Sequence, residues 1–137
     1  LDKNIDIFNH NLETVEKLTP KIRSKASYQN SLKILKYAKD SSKTSFGQSR
    51  FTKSGIMVGL GETKAEVFQT LKDLKAINID IVTIGQYLQP TSKNIKVFEY
   101  VHPKVFKEYE KFAKSIGISK ILSSPYVRSS YNAAAFL

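Results

Sequence analysis

The sequence predicts an α/β fold built on parallel strands. Two short runs, residues 54–59 and 79–85, are almost continuously apolar, which is typical of strands covered by helices in a parallel sheet. Between and after these runs, apolar residues recur three and four positions apart, which predicts amphipathic helices. Right-handed crossovers would then produce either an open doubly wound sheet or part of a (β/α) barrel, with too few units to close eight strands.

The N-terminal part predicts one strand followed by two helices. Residues 5–8 alternate apolar and polar side chains and indicate the end of a strand. Asn11 is a suitable cap for a short helix over residues 11–18, which Pro20 would stop. A longer helix is expected over residues 27–39, capped by Ser27. Its buried stripe should consist of Tyr28, Leu32, Leu35 and, at the margin, Ile34.

The middle of the chain predicts a loop, a strand and a helix. Residues 41–51 are polar and indicate a long loop before the strand at 54–59. Thr63 and Glu66 have the spacing of a capping box, which predicts a helix from there to about Ile77. The buried face of this helix should be formed by Val67, Phe68, Leu71 and Leu74.

The C-terminal part repeats the alternation. A loop over residues 86–100 follows the strand at 79–85, and Pro103 suits the first turn of a helix that Gly117 ends. The inward face of this helix should be Val105, Tyr109, Phe112 and Ile116. A last strand is expected at residues 118–122, followed by a small, polar tail.

Composition limits the possible functions. With 137 residues the chain is expected to form one domain or part of a larger one, and 41% hydrophobic residues argue against wholesale disorder. No apolar run approaches the ~18–20 residues of a membrane-spanning helix. The chain contains no cysteine, which excludes disulfides, thiol nucleophiles and cysteine-held zinc or iron–sulfur clusters within these residues.

The net charge of +10, with a pI near 9.7, raises the question of an acidic partner. Specific nucleic-acid binding is not favoured, because the lysines are spread along the chain and arginines are scarce. The arginines are Arg23, Arg50 and Arg128. A solvated lysine-rich surface and electrostatic steering of an acidic macromolecule both stay open.

Polar or glycine-rich segments follow three of the predicted strands, at the edge where parallel α/β folds bind ligands. They span residues 9–13, 59–62 and 86–90. The glycines of the second allow close approach of a ligand, although their spacing does not fit a dinucleotide-binding fingerprint. A helix cap with surface polar residues is the simpler interpretation of the first, and its His10 belongs to no recognisable catalytic set.

A series of motifs stands in a specific order and spacing along the chain. They are residues 8–15 (FNHNLETV), 28–32 (YQNSL), 52–62 (TKSGIMVGLGE), 83–90 (TIGQYLQP), 100–103 (YVHP) and 127–131 (VRSSY). Together they resemble the lipoyl synthase family of radical S-adenosylmethionine enzymes. The resemblance covers nearly the whole chain except residues 41–50, a segment longer than is usual in the family.

The resemblance implies the C-terminal half of a partial (β/α) radical S-adenosylmethionine barrel over residues 1–137, with a C-terminal tail at 123–137. The family inserts two sulfur atoms, at C6 and C8, into an octanoyl chain attached to a lysine of an acceptor protein. One [4Fe–4S] cluster cleaves S-adenosylmethionine to a 5′-deoxyadenosyl radical, and a second, auxiliary [4Fe–4S] cluster supplies the sulfur. The family's cysteine triplets are absent here, so the chain alone is expected to be inactive.

The resemblance also implies a set of cofactor-binding residues. Asn9, Asn11 and Glu13 would lie near the ribose and methionine part of S-adenosylmethionine. Lys53 or Arg23 would bind its carboxylate. Support for the adenine would come from Gly55, Met57, Gly59 and Glu62, with backbone groups of Gln86, Tyr87 and Leu88 at its edge.

The remaining implied roles fall on the C-terminal tail. Ser129 or Ser130 would ligate an iron of the auxiliary cluster, and the resemblance does not decide between them. Arg128 would lie beside this cluster and, with Tyr131, on the substrate side. No side chain of this chain is assigned a catalytic role.

The implied partners are octanoylated lipoyl-carrier domains, namely E2 subunits of 2-oxoacid dehydrogenases and the H protein of glycine cleavage. An electron donor and iron–sulfur assembly proteins would also be needed, whereas neither specific nucleic acid nor a membrane is expected. The family occurs in bacterial cytoplasm, mitochondria and plastids, and any targeting segment would precede Leu1. The alternative is a non-catalytic barrel remnant that binds a lipoyl-acceptor protein or a nucleotide.

Overall fold

The computed structural model describes residues 5–23, 27–41 and 49–127, and in these ranges strands and helices alternate. The strands are β1 (Ile5–Asn9), β2 (Ser49–Val58), β3 (Ile81–Gln86) and β4 (Lys120–Ser123). The helices are α1 (Thr19–Ile22), α2 (Tyr28–Ser41), α3 (Lys64–Ala76) and α4 (Pro103–Ser115), and a 3-10 turn (Glu16–Leu18) precedes α1. The predicted α/β class is confirmed.

The four strands form one sheet in the order β1-β2-β3-β4, and every pair is parallel. Each crossover therefore joins neighbouring strands and the strand order never reverses. Right-handed crossovers of this kind place successive helices on the same face of the sheet, whereas a doubly wound sheet needs a reversal. The architecture is thus a partial (β/α) barrel, which resolves the alternative that the sequence left open.

The hydrophobic core fills the space between the helices and one face of the sheet. The strands contribute Ile56, Val58, Val82, Ile84 and Ile121. The helices contribute residues from α2, α3 and α4, among them Leu35, Leu71 and Phe106, each at most 1% exposed. Burial of one such aliphatic or aromatic side chain stabilises the fold by about 1.5–3 kcal/mol.

The opposite face of the sheet, here called the inner face, carries smaller and more polar residues. Gly55 pairs with Thr83, Met57 pairs with Gly85, and Lys53 lies between β1 and β3. These positions alternate with the core positions because successive side chains of a strand point to opposite faces. The inner face contributes no residue of β2 to the main core cluster.

The predicted helix over residues 11–18 is wrong. Residues 10–14 are irregular or extended, and Glu13 forms a parallel bridge with Ile56 of β2. Helical structure begins only at Glu16, and Pro20 lies in the first turn of α1 rather than ending a helix. Proline is tolerated there because the first turn needs no N–H donor from it. The N–H and the carbonyl of Glu13 are hydrogen-bonded to β2. In a helix capped by Asn11 they would instead have bonded within the helix.

The other helix ends largely follow the sequence signals. The Oγ of Ser27 accepts a hydrogen bond from the N–H of Asn30, and Nδ1 of His102 accepts one from Lys104. Gly117 ends the last helix with a φ of +102°, a conformation that favours glycine. No helix among the described residues is long and apolar enough to cross a membrane.

The predicted loop over residues 41–51 is shorter than expected where the structure describes it. Helix α2 continues to Ser41, and β2 begins at Ser49, five residues before the predicted start at Ser54. The polar residues at the start of β2 are strand residues because β1 pairs with them from Ser49 onward. Residues 42–48 lie outside the described part of the chain.

The capping box of α3 offers a direct test of local stability. The Oγ1 of Thr63 accepts from the N–H of Glu66, and the Glu66 carboxylate accepts from the N–H of Thr63. Thr63→Ala should lower the free energy of unfolding by about 1 kcal/mol, because the N–H of Glu66 loses its side-chain acceptor. Urea denaturation would measure this, and Thr63→Ser, which keeps the hydroxyl, should stay close to wild type. Equal losses in both variants would contradict the capping role.

Candidate functional site

The segment after β1 runs alongside β2 and brings predicted site residues together. The N–H of Glu13 donates to the carbonyl of Gly55 at 3.0 Å, and the carbonyl of Glu13 accepts from Met57 N–H at 2.9 Å. Glu13 adopts a φ of +70°, which is uncommon for a residue with a side chain. This extension places Asn11 and Glu13 against the inner-face residues of β2.

Asn11 is the least satisfied polar side chain of this group. Its Oδ1 is buried and has no hydrogen-bond partner among the described residues. The same atom lies 3.3 Å from the position that a Cβ on Gly55 would occupy. A buried carbonyl oxygen without a donor costs about 1–3 kcal/mol, so Asn11 presents an acceptor whose energy would improve if a ligand donated to it.

A narrow cleft lies on the inner face beside Asn11. It is lined by Glu13, Gly55, Ile56, Met57, Thr83, Gly85 and Val127. A Cβ on Gly55 would overlap Oγ1 of Thr83, and a Cβ on Gly85 would overlap the backbone carbonyl of Val127. Glycine at both positions therefore lets Thr83 and the backbone of Val127 pack close to the strands beside the cleft.

Two ionisable side chains near the cleft, Glu13 and Lys53, are partly removed from water, which disfavours their charged forms. Burial raises the pKa of the Glu13 carboxyl above its ordinary value, although the nearby Arg23 guanidinium partly opposes the shift. Burial lowers the pKa of Lys53, whose side chain belongs to a residue only 3% exposed. Shifts of this kind cluster at functional sites.

Arg23 and His10 meet at the buried hydroxyl of Ser31. Nη1 of Arg23 donates to Oγ of Ser31 at 2.9 Å and approaches the carbonyl of Leu12 at 3.4 Å. Nε2 of His10 lies 3.0 Å from the same Oγ. The oxygen of the Ser31 hydroxyl accepts from Arg23, so the hydroxyl can donate its own hydrogen to Nε2 of His10. A neutral imidazole can accept that hydrogen bond. Burial, and then the charge of Arg23, lower the pKa of His10.

The glycine turn after β2 is fixed by Glu62. Its carboxylate accepts from the N–H groups of Gly59 at 2.9 Å and Leu60 at 3.0 Å. Gly59 has a φ of +93°, and a Cβ there would overlap the amide of Gln86. Glu62 thus binds the backbone of the turn, so any effect on a ligand would act through the shape of the turn.

The end of β3 is tied to the chain that follows it. The Gln86 side chain donates from Nε2 to the carbonyl of Glu99 at 2.9 Å and accepts from Val101 N–H at 2.8 Å. The Tyr87 hydroxyl donates to the carbonyl of Ile95 at 2.6 Å. Leu88, by contrast, is 44% exposed.

The structure gathers one subset of the predicted cofactor residues and separates another. Asn11, Glu13, Gly55 and Met57 lie together, with Lys53 and Arg23 at the margins. Asn9 ends β1 on an exposed position. The side chains of Glu62, Gln86 and Tyr87 are hydrogen-bonded to backbone groups of this chain. The predicted metal and substrate residues Arg128, Ser129, Ser130 and Tyr131 lie outside the described residues.

Two residues of the site were missed by the sequence interpretation. Thr83 lines the cleft, and Ser31 joins His10 to Arg23. Every residue of β3 is buried, so the apolar run does not reveal which positions face the core. Ser31 belongs to a recognised motif, but only the packing of α2 shows its two partners.

Comparisons with known proteins identify the relatives of this chain. No protein-family model matches it. A lipoyl synthase of Protochlamydia amoebophila is 52% identical over 128 residues, which is 93% of this chain and 39% of that protein. A lipoyl synthase of Caldicellulosiruptor saccharolyticus is also 52% identical, over 92% of this chain and 42% of that protein. This chain is homologous to the C-terminal portion of lipoyl synthases.

The lipoyl synthase relationship confirms the resemblance seen in the motifs. A lipoyl synthase of Flavobacterium johnsoniae extends the match to 97% of this chain, at 48% identity and 44% of that protein. The chain therefore spans about two fifths of the length of the curated relatives that it matches. In the part of the chain that the structure describes, no three His, Asp or Glu side chains are grouped to hold a metal ion.

The contact between Gly55 and Thr83 can be tested by a double-mutant cycle. Gly55→Ala should lower the free energy of unfolding by about 1–3 kcal/mol, because the new methyl group overlaps Oγ1 of Thr83. In a Thr83→Ala background the same change should cost clearly less. Chemical denaturation of the two single variants and the double variant gives the coupling. Additive losses would show that Thr83 is not what excludes a side chain at position 55.

The interaction of His10 with Ser31 predicts a pH dependence of stability. The folded protein lowers the pKa of His10 below the ordinary value of about 6.5, so the unfolded chain takes up the proton first. The contribution of His10 is present above about pH 6.5 and is lost as the pH falls further. Urea denaturation at about pH 7.5 and pH 5.5 should show a smaller acid loss in His10→Gln than in wild type.

Comparing wild type with His10→Gln separates the effect of His10 on acid stability from the effect of Glu13. The pKa of Glu13 is raised, so its protonation stabilises the fold as the pH falls, which opposes the effect of His10. Glu13 is present in both proteins and largely cancels in the difference. An identical acid loss with and without His10 would contradict the predicted protonation effect.

Proposed function

We propose that this chain supplies the C-terminal part of a lipoyl synthase and contributes to its S-adenosylmethionine site. The full protein would insert two sulfur atoms, at C6 and C8, into an octanoyl chain attached to a carrier protein. One observation carries the placement of the site. The extended segment containing Asn11 and Glu13 is paired with β2 at Gly55 and Met57, and the buried Oδ1 of Asn11 finds no donor there among the residues that the structure describes.

The residues at this position suit the polar part of S-adenosylmethionine. The ligand carries a cationic amino group and hydroxyl groups, which can donate to Oδ1 of Asn11 and to the Glu13 carboxylate. Its carboxylate would be bound by Lys53 or Arg23. Arg23 uses Nη1 for its contacts with Ser31 and Leu12, and a guanidinium group has five N–H donors in all.

The adenine ring would lie on the side of the inner face where Gly55 and Met57 stand. Gly55 has no side chain, and half-buried Met57 is a flexible apolar neighbour. Gly59 and Glu62 would keep the following turn in place, while backbone groups at Gln86–Leu88 would meet the adenine edge. Asn9 would complete the polar set from the end of β1.

Bound S-adenosylmethionine and two [4Fe–4S] clusters would supply the hydrogen abstraction and the sulfur atoms. The cysteine ligands of both clusters would have to come from outside these 137 residues, since the chain has none. A seryl oxygen of Ser129 or Ser130 would serve the auxiliary cluster, with Arg128 and Tyr131 near the substrate. The chain by itself is therefore expected to be inactive, and its proposed partners are octanoylated lipoyl-carrier domains.

The proposal can be tested on the full-length protein encoded by the gene that contains this sequence. Its upstream part should contain both cysteine triplets, and the reconstituted protein should convert an octanoylated carrier domain to the lipoylated form, detected by mass spectrometry. Asn11→Ala should weaken S-adenosylmethionine binding, measured by calorimetry, by about tenfold, because a hydrogen bond to a cationic donor contributes about 1.5 kcal/mol or more.

The matched control is Asn30→Ala, at an exposed position of α2. It should leave binding unchanged. Equal effects of the two substitutions would remove Asn11 from the site. A full-length product that lacks the cysteine triplets and binds a carrier domain without modifying it would favour the non-catalytic alternative.

A further inference from the structure

The loop between β3 and α4 has an exposed surface that the cofactor site does not use. Phe98 and Tyr100 are each 73% exposed, although both are large aromatic residues. They lie within residues 87–102, here called the β3–α4 loop. Exposed aromatic side chains of this size are typical of surfaces that a partner covers.

The β3–α4 loop is held in place by hydrogen bonds along its length. Gln86 binds the backbone of Glu99 and Val101, and the N–H of Phe98 donates to the carbonyl of Gly59 at 2.8 Å. At the tip, Oδ1 of Asn94 accepts from the N–H and the hydroxyl of Thr91. The aromatic side chains are therefore presented on an ordered backbone, which reduces the entropy lost when a partner binds.

The position of the loop relates it to the cofactor site. Gly59 follows β2 and Gln86 ends β3, so the loop is attached at the carboxyl edge of the sheet. The ring of Phe98 lies 3.7 Å from where a Cβ on Gly61 would be, next to the glycine turn. A protein that delivers a side chain to the inner face from this edge would meet Phe98 and Tyr100.

The charge of this region indicates the chemistry of the partner. Residues 87–107 contain four lysines and one glutamate. Lys93, Lys96 and Lys104 are exposed, and none of the three takes part in an ion pair with the residues that the structure describes. The excess of exposed cations in this loop and at the start of α4, against the single Glu99, matches an acidic protein surface and would accelerate its association.

We propose that Phe98 and Tyr100, with Lys93 and Lys96 of the same loop and Lys104 at the start of α4, form the docking surface for an acidic acyl-carrying protein domain. The domain binds the β3–α4 loop while its acylated lysine reaches the inner face of the sheet. This inference rests on the proposed function and deepens it by assigning the recognition of the carrier to a defined part of the chain.

The test separates docking from chemistry by using two substrates with the full-length reconstituted protein. One is an octanoylated carrier domain and the other is a short peptide that contains octanoyl-lysine. Phe98→Ala combined with Tyr100→Ala should raise the KM for the carrier domain at least tenfold, as expected for loss of aromatic anchors. The kcat/KM for the peptide should stay unchanged, because the peptide is too small to cover the loop.

The matched control is Tyr37→Ala, which removes an aromatic side chain that is 76% exposed on α2. It should change neither the KM for the carrier domain nor the kcat/KM for the peptide. Lys93→Ala combined with Lys96→Ala should slow association with the carrier domain at low salt and have little effect at high salt. Circular dichroism confirms that each variant is folded.

Two results would overturn the docking proposal. One is an unchanged KM for the carrier domain in the aromatic double variant, and the other is an equal loss with both substrates, which would indicate damage to the site. If wild type modifies neither substrate, the proposed function fails. Surface plasmon resonance of the carrier domain against wild type and the aromatic double variant then decides the docking separately.

Discussion

The structure depends on the two-sided pairing of β2. One edge of this strand pairs with β1 and with the segment that leads to Glu13, and the other edge pairs with β3. A strand held on both edges cannot shift by one residue without moving its whole apolar set to the other face. At its amino end, the Asp80 carboxylate accepts from the N–H of Thr52 at 2.8 Å and from Lys39 at 2.8 Å, which further fixes the register.

The alternation along β2 separates the packed core from the candidate site. Ile56 and Val58 point into the helix-covered core, whereas Gly55 and Met57 face the cleft. Features that cost stability are concentrated on the cleft side. They include the Oδ1 of Asn11, which has no partner in the described part of the chain, a desolvated carboxyl and a left-handed backbone at Glu13. Such local costs are typical of sites shaped for a ligand, and the apolar core on the other face compensates for them.

The carboxyl edge of the sheet combines two kinds of loop that serve different needs. The turn at Gly59 is short, needs positive φ and is clamped by a carboxylate, so it can lie close to a ligand. The β3–α4 loop is long and ordered by backbone contacts, and it exposes aromatic and cationic side chains. Both are anchored at the carboxyl ends of β2 and β3, which links the proposed cofactor site to the proposed docking surface.

The sequence by itself determined the α/β class, the capped helices α2, α3 and α4, and the family relationship. Local signals suffice for these, because the capping box at Thr63, the proline at 103 and the apolar periods act within a few residues. The sequence signals also located the polar strand ends that became the candidate site. They misassigned residues 11–18, because Asn11 has the chemistry of a cap and the pairing partner that overrides it lies more than forty residues away in β2.

Tertiary structure alone decided how these pieces combine. The choice between a doubly wound sheet and a partial barrel depends on strand order, which no local pattern contains. The faces of β3 also required the fold, since a strand buried throughout shows no alternation to interpret. The meeting of His10, Arg23 and Ser31, and the use of Gln86 as a backbone clamp, follow from packing between separate segments of the chain. Hydrogen bonds of this kind form between atoms that only the completed sheet and its crossovers bring within reach.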